Sequence, residues 1–211
     1  MAQIIDFNEY RKHRKLRRRI RIVRRKPIRK RKKMRAKKAA RQGHLDNLCG
    51  VYSIINAVNA VHKFKEADRE RLFRRLVLTL EKEAIVDGTC KKHMDTMLRE
   101  AVVYVQKRHG VSIAIHRLFK RSHVDIGLKA YWRTLRRFLG ASKRRAIIIG
   151  TCGRHDHWTC VKAMSRLSMK LLDSSGSKRL RRRFCRMGKP YTHKHYHLIP
   201  SQVWGISLKK D

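Results

Sequence analysis

The sequence feature that most constrains the fold is a change in apolar spacing near the middle of the chain. Between residues 48 and 139, apolar side chains recur mainly every three or four positions, which is typical of amphipathic helices. Between residues 146 and 208 they form short compact or alternating runs, which indicate strands, and residues 112–116 alternate in the same way. Helices first and an antiparallel sheet second predict an α+β fold.

The apolar spacing predicts a first helix from Leu48 to His62, with Asp46 or Asn47 as its N-cap. Pro200 is expected to separate the last two strands, because proline cannot donate a backbone hydrogen bond. The other predicted helices lie near 72–80, 94–105 and 130–139, and the predicted strands lie at 112–116, 146–149, 157–163, 169–173, 195–199 and 203–208.

Positive charge is concentrated in residues 1–41, where 20 Lys or Arg side chains face only the carboxylates of Asp6 and Glu9. This segment contains too little apolar surface to offset the entropy of ordering, so it is predicted to be a largely disordered basic arm. The arm is either a solvated tail or a binding segment for an anionic partner such as nucleic acid or an acidic surface. Residues 42–211 are long enough to form one domain.

The cysteine content and the hydropathy restrict the compartment. Five cysteines, an odd number with no CxxC pair, argue against a disulfide framework and favour a reducing compartment. No apolar run reaches the roughly 18 residues that span a bilayer, and no apolar segment of a signal peptide follows the basic N-terminus. The protein is therefore expected to be soluble, without a transmembrane segment, and either cytoplasmic or exported without a cleaved signal peptide.

Cys49 lies at the predicted start of the first helix. The unpaired N–H groups and the positive end of the helix dipole at such a position favour a thiolate over a thiol. A nucleophile of this kind needs a base, and the base needs a group that orients it. Many ordinary cysteines also occupy first turns, so the position alone leaves a structural role open.

His157 and Asp173 are the candidate base and orienting group. They lie at the start of one predicted strand and the end of the next, and a turn centred near Ser165 would place them directly opposite each other. Opposite residues of an antiparallel pair have Cβ atoms about 4.5 to 5.5 Å apart. A carboxylate at that distance is suited to fixing the tautomer of an imidazole. Both residues also have structural interpretations, His157 as a core-packing strand residue and Asp173 as a turn residue.

These residues together resemble the papain-like cysteine peptidase superfamily, and most closely its compact bacterial branch that includes the bacteriocin-processing peptidases. The resemblance rests on CGVYS at residues 49–53, HW at 157–158 and DSSG at 173–176, and it covers the chain from about residue 42 to residue 208. It implies a papain-like fold in residues 42–211, with Cys49 as the nucleophile, His157 as the general base and Asp173 as the residue that orients it.

The resemblance also implies an oxyanion hole and a covalent mechanism. In this superfamily a glutamine before the cysteine helps the cysteine N–H to bind the oxyanion, and Gln42 stands seven positions before Cys49. Asn47 is the local alternative. The implied reaction is hydrolysis of an amide bond in a protein or peptide through a thioester, with no cofactor or metal. Peptidase, isopeptidase and acyl transferase share this apparatus, so the three activities stay open.

Two other interpretations remain. Cys152, His155, His157 and Cys160 could together bind zinc, perhaps with His193, His195 and His197, although zinc sites more often use two separated ligand pairs. His155 is also a second candidate base. The chain could instead be a basic nucleic-acid-binding protein on the same fold without turnover. The arginine-rich run at residues 178–186 is either a solvated loop or a border of the active-site cleft.

Overall fold

The structure is a computed structural model, and it describes residues 47–119, 126–188 and 194–209. The predicted basic arm at residues 1–41 and the candidate oxyanion residue Gln42 lie outside the described residues.

Helices dominate the first part of the described chain. The four predicted helices are confirmed, and the first runs one residue inside its predicted limits at each end. A short helix of five residues was not predicted, because it is too short to show a helical period. No helix within the described ranges is long and apolar enough to cross a membrane. The helices are α1 (Cys49–Val61), α2 (Glu66–Val77), α3 (Lys82–Val86), α4 (Lys91–His109) and α5 (Leu128–Gly140).

The strands form one seven-stranded sheet with the order β1-β7-β2-β3-β4-β5, and β6 pairs with β7 off this path. Neighbouring strands are antiparallel except for β6 and β7, which are parallel. The α+β prediction is therefore confirmed. The strands are β1 (Ile113–Arg117), β2 (Arg145–Gly153), β3 (His157–Met164), β4 (Ser168–Leu172), β5 (Arg179–Arg181), β6 (Cys185–Met187) and β7 (Tyr196–Leu208).

The two faces of the sheet carry separate apolar cores. Along β2, whose residues 146–151 are buried, Ala146 and Ile148 belong to the core shared with α1, α2 and α4. Ile147 and Ile149 belong to the core shared with α5. This alternation follows from the two-residue period of a strand, and both sets are apolar because helices cover both faces. The sheet is therefore a rigid base for the N-terminal end of α1.

Gly50 allows α1 to approach the loop before α4 closely. A Cβ atom at this position would lie 2.2 Å from the Thr89 hydroxyl oxygen and 2.8 Å from the Met94 sulfur. Neither distance is compatible with van der Waals contact, so any larger residue would push the two helices apart. The Cys-Gly pair therefore places residue 49 directly beside the loop at residues 87–89.

We predict that Gly50→Ala lowers the free energy of unfolding by about 1 to 3 kcal/mol because of this overlap, as measured by urea denaturation. Gly140→Ala is the matched control: it also lies in a helix, and a Cβ there meets nothing within 4 Å. It should be neutral or stabilising by up to about 1 kcal/mol. Equal destabilisation by the two substitutions would contradict the close approach.

Candidate functional site

Cys49 is the first residue of α1, and its position differs in one respect from the prediction. The N-cap is Leu48, which makes no side-chain cap hydrogen bond, so the predicted cap at Asn47 is wrong, while Asp46, the other predicted cap, lies outside the described residues. The Asn47 amide Nδ2 instead donates a hydrogen bond to the carbonyl oxygen of Val86. Among the described residues, no polar side chain caps the first turn of α1, where the helix dipole favours negative charge.

His157 lies at the first position of β3, and its ring has two side-chain partners. Its Nε2 donates a hydrogen bond of 2.7 Å to Asp173 Oδ1, because an ionised carboxylate can only accept. Cys49 lines the cleft beside this ring and is the second side chain that raises its pKa, so Nδ1 is the nitrogen left to face the thiol. The structure thus brings together the three residues that the sequence singled out, although they come from a helix, a strand and a turn.

The register of β3 and β4 differs from the predicted one by two positions. Cys160 pairs with Leu172, and continuing this register places Asp173 opposite Thr159 rather than opposite His157. An even shift leaves a side chain on the same face of the sheet, whereas a shift of one would have reversed it. Asp173 therefore reaches His157 as a diagonal neighbour, which is within range of longer side chains.

Asp173 uses its two carboxylate oxygens for two different purposes. Oδ1 accepts from His157, while Oδ2 accepts from the Ser175 hydroxyl at 2.5 Å and from the Ser177 backbone N–H at 3.1 Å. The side chain is only 1% exposed. The structural interpretation of Asp173 as a turn residue is therefore also correct, and the turn fixes the carboxylate for the histidine.

The hydrogen bonds around His157 shift the titration of both partners. Burial alone lowers the pKa of His157, but hydrogen bonds to Asp173 and Cys49 and the negative charges of those groups raise it to about 9 from 6.5. Burial raises the pKa of Asp173, but the hydrogen bond and the charge of His157, with smaller contributions from Ser175 and Thr159, lower it to about 2 from 3.8. The pair is thus an imidazolium and a carboxylate at neutral pH.

Asn56 connects α1 to the strand that precedes Asp173. Its side-chain Nδ2 donates a hydrogen bond of 3.3 Å to the carbonyl oxygen of Leu172, and Asn56 is 2% exposed. Asn56 lies about two turns after Cys49 on the helix. The hydrogen bond therefore links the helix that carries the thiol to the residue directly before the carboxylate.

A cleft of about 450 Å³ lies in front of Cys49 and His157. One wall is the loop at residues 87–89, which the Trp158 indole holds by a hydrogen bond of 2.7 Å to the Thr89 carbonyl oxygen. The remaining lining residues are Asn47, Cys90, Lys91, Gly150, Thr151, Cys152, Asp156 and Gln202.

Gln202 is the cleft residue that sequence analysis missed. The predicted strand break at Pro200 is wrong, because β7 continues through it, and residues 199–202 lie opposite the single residue Gly150. Such a bulge re-aims side chains. A Cβ atom at Gly150 would lie 2.2 Å from Gln202 Oε1 and 2.7 Å from the Trp158 ring, so only glycine leaves room for both. A proline between two strand patterns was the available signal for this bulge.

The alternative chemical assignments receive less support from the geometry. His155 is exposed, and its ring centroid lies 4.9 Å from that of His157. The hydrogen bond to the Asp173 carboxylate is made by His157. Cys160 is fully buried, and burial raises the pKa of its thiol to about 12. Within the described ranges, no three His, Cys, Asp or Glu side chains group together in a way that could hold a metal ion. His193 lies outside those ranges.

We predict that Asp173→Asn destabilises the protein in a pH-dependent way. Because folding raises the pKa of His157, the contribution of His157 to stability is complete below pH 6.5 and is lost as the pH rises through about 9. Because folding lowers the pKa of Asp173, the contribution of Asp173 to stability is present above pH 3.8 and is lost as the pH falls towards about 2. The cost of the substitution should therefore be on the order of 2 kcal/mol at about pH 5.5 and smaller at about pH 9.5.

Urea denaturation at the two pH values measures this difference. Asp156→Asn is the matched control, because this exposed carboxylate on the same hairpin accepts from the Gly153 backbone N–H rather than from a histidine. Its cost should be the same at both pH values. An Asp173→Asn cost that is also independent of pH would contradict the ion pair.

Comparison with known proteins identifies no relative of this chain: no family model matches it, and no curated protein or solved structure shows significant similarity.

Proposed function

We propose that the chain is a cysteine hydrolase of the papain-like type that cleaves an amide bond in a protein or peptide. The observation that carries the proposal is the position of His157, which is hydrogen-bonded to Asp173 and lines the same cleft as Cys49 at the start of α1. A thiol at a helix start, a base and an orienting carboxylate are the parts that nucleophilic catalysis needs. Cys49 is the nucleophile, His157 the general base and acid, and Asp173 the positioning residue.

The first half of the reaction forms a thioester. With His157 already the imidazolium, Cys49 reacts as the thiolate, and its sulfur attacks the carbonyl carbon to form a C–S bond and a tetrahedral oxyanion. Collapse of this intermediate breaks the C–N bond, and the leaving nitrogen takes the proton from His157. The carboxylate of Asp173, whose pKa of about 2 keeps it ionised, stabilises the imidazolium throughout.

The second half of the reaction restores the enzyme. His157 removes a proton from water, and the hydroxide oxygen attacks the thioester carbon. The C–S bond then breaks, which restores the thiolate of Cys49 beside the imidazolium of His157. Cleavage of an isopeptide bond follows the same steps with water. Acyl transfer follows them with an amine in place of water, so the same residues serve both activities.

The oxyanion would be held by the Cys49 backbone N–H and by one side-chain amide of the cleft. Gln42 and Asn47 are the candidates from sequence, and Gln202 is the candidate from the structure. The Asn47 amide already donates to the Val86 carbonyl oxygen, whereas the Gln202 amide lies over Gly150 in the same cleft. We assign the second donor to Gln202, whose amide nitrogen and oxygen can exchange places by rotation of the amide group.

The charges of the described cleft residues nearly cancel. The carboxylates of Asp87 and Asp156 line the cleft together with the ammonium group of Lys91 and the imidazolium of His157. In a chain with a formal charge of +41, this part of the cleft therefore carries little net charge to attract or repel a peptide.

We predict that iodoacetamide alkylates Cys49 at least about tenfold faster than Cys90 at about pH 6, where an ordinary thiol is protonated and unreactive. Cys90 is the internal control, because it lies at the N-terminus of α4, lines the same cleft and is exposed. Peptide mapping by mass spectrometry measures the two rates.

His157→Ala should bring the Cys49 rate down to that of Cys90, because the base is lost. Equal rates for the two cysteines in the wild-type chain would contradict the proposal. That result would favour the alternative, a basic nucleic-acid-binding protein on the same fold without turnover.

We predict that Gln202→Ala slows acylation of Cys49 by p-nitrophenyl acetate by about 100-fold and leaves its alkylation by iodoacetamide unchanged. Acylation passes through a tetrahedral oxyanion, whereas alkylation is a displacement at a saturated carbon and forms none. The burst of p-nitrophenol measures the acylation. Asn47→Ala is the comparison variant, and a loss of acylation there but not in Gln202→Ala would reassign the donor to Asn47.

A further inference from the structure

A second cavity, which we call the arginine pocket, lies apart from the cleft. It has a volume of about 590 Å³ and shares no lining residue with the cleft, so the arginine-rich run does not border the candidate active site. Among the described residues that line it, none is acidic, and two leucines, Leu128 and Leu167, form apolar walls. Its five arginines are Arg179, Arg181, Arg182, Arg183 and Arg186.

The fold places these arginines on the surface by strand alternation. Leu180 is 4% exposed and belongs to the core on the α5 side of the sheet, while its neighbours Arg179 and Arg181 are exposed. Successive side chains of a strand point to opposite faces, so the buried leucine forces both arginines outward. β5 is the last strand of the sheet order, which leaves this surface at an edge.

Contacts within the protein hold several of the guanidinium groups in place without neutralising them. Arg182 lies over the Trp132 ring at 5.8 Å and Arg183 over the Phe184 ring at 4.7 Å. Arg186 Nη1 donates hydrogen bonds to two backbone carbonyl oxygens, including that of Cys185 at 2.9 Å. Of the ion pairs among the described residues, none includes an arginine of the pocket.

Five neighbouring positive charges that have no carboxylate partner within the described part of the chain repel one another, and a dense negative charge relieves this repulsion. Guanidinium groups match phosphate oxygens in a two-pronged geometry and stack well on planar groups. A phosphodiester strand supplies one negative charge for every nucleotide, whereas a peptide supplies this density only in an uninterrupted acidic run. Leu167, which is 76% exposed, provides an apolar contact for a sugar or a base.

We propose that the arginine pocket binds the phosphate backbone of a nucleic-acid strand, at a site on the folded domain that is separate from the cleft and from residues 1–41. Binding of this kind is independent of base sequence and weakens steeply with salt, because each contact releases a condensed counterion. The pocket would hold the chain on a nucleic acid while the cleft stays accessible.

The test compares two triple variants of the full chain that lose the same charge. Arg179→Gln, Arg181→Gln and Arg183→Gln remove three exposed arginines of the pocket. Lys63→Gln, Arg74→Gln and Lys107→Gln, the control, remove three exposed charges on the helical side that line neither cavity. Residues 1–41 are present in both variants, so the difference between them measures the pocket alone.

Fluorescence anisotropy with a labelled oligo-dT of about 20 nucleotides, at salt concentrations from about 50 to about 300 mM, gives the affinity and its salt dependence. The pocket variant should bind at least about tenfold more weakly than wild type, with the slope of log K against log salt reduced by about 2. The control variant should bind within about twofold of wild type and keep the wild-type slope. Wild-type alkylation of Cys49 in the pocket variant verifies that its fold is intact.

Equal losses in the two variants would overturn the proposal, because net charge alone would then explain binding. Unchanged binding by the pocket variant would overturn it as well. Poly-L-glutamate and anionic phospholipid vesicles are the competing ligands. If either binds wild type more tightly than the oligonucleotide does and loses its affinity in the pocket variant, the site belongs to an acidic protein or a membrane surface instead.

Discussion

The hydrogen bond between His157 and Asp173 is the interaction on which the candidate site depends. The carboxylate is held from behind by Ser175 and by the N–H of Ser177, so its position is fixed by the turn and not by the histidine. Because Nε2 carries the proton that faces Asp173, the other ring nitrogen is left for Cys49. Without the carboxylate, burial alone would favour a neutral ring that is free to rotate.

The sheet and α1 convert this local geometry into a cleft. Gly50 lets the helix start lie against the loop at residues 87–89, and Trp158 holds that loop from the strand side. Gly150 leaves the space that the bulged segment of β7 fills with Gln202. Two glycines and one indole therefore determine the width of the cleft, although none of them takes part in the proposed chemistry.

Residue spacing predicted most of this architecture, since the long helices and strands have clear periods of three to four and two residues. It missed α3, β5 and β6 because a helix of five residues and strands of three residues are too short to show their periods. It paired His157 with Asp173 directly because it centred the turn near residue 165, whereas Met164 pairs with Met169 across a turn centred further along the chain, and the irregularity between Val161 and Ala163 then shifts the register by one. The prediction still identified the pair, since a shift of two positions preserves the face of the strand. Gln202 enters the cleft at a bulge of β7 whose local signal is Pro200, but its neighbour Gly150 is set by a long-range strand pairing.

Titration of the His157 ring, followed by NMR in the wild-type chain and in Cys49→Ala, tests most directly whether the three residues act as one unit. We expect a pKa of about 9 for His157 in the wild type, because both Asp173 and Cys49 raise it. In Cys49→Ala we expect a lower pKa that still lies above 6.5. The same pKa in both chains, or a wild-type value near 6.5, would show that the thiol and the imidazole are not coupled and would contradict the proposed nucleophile and base.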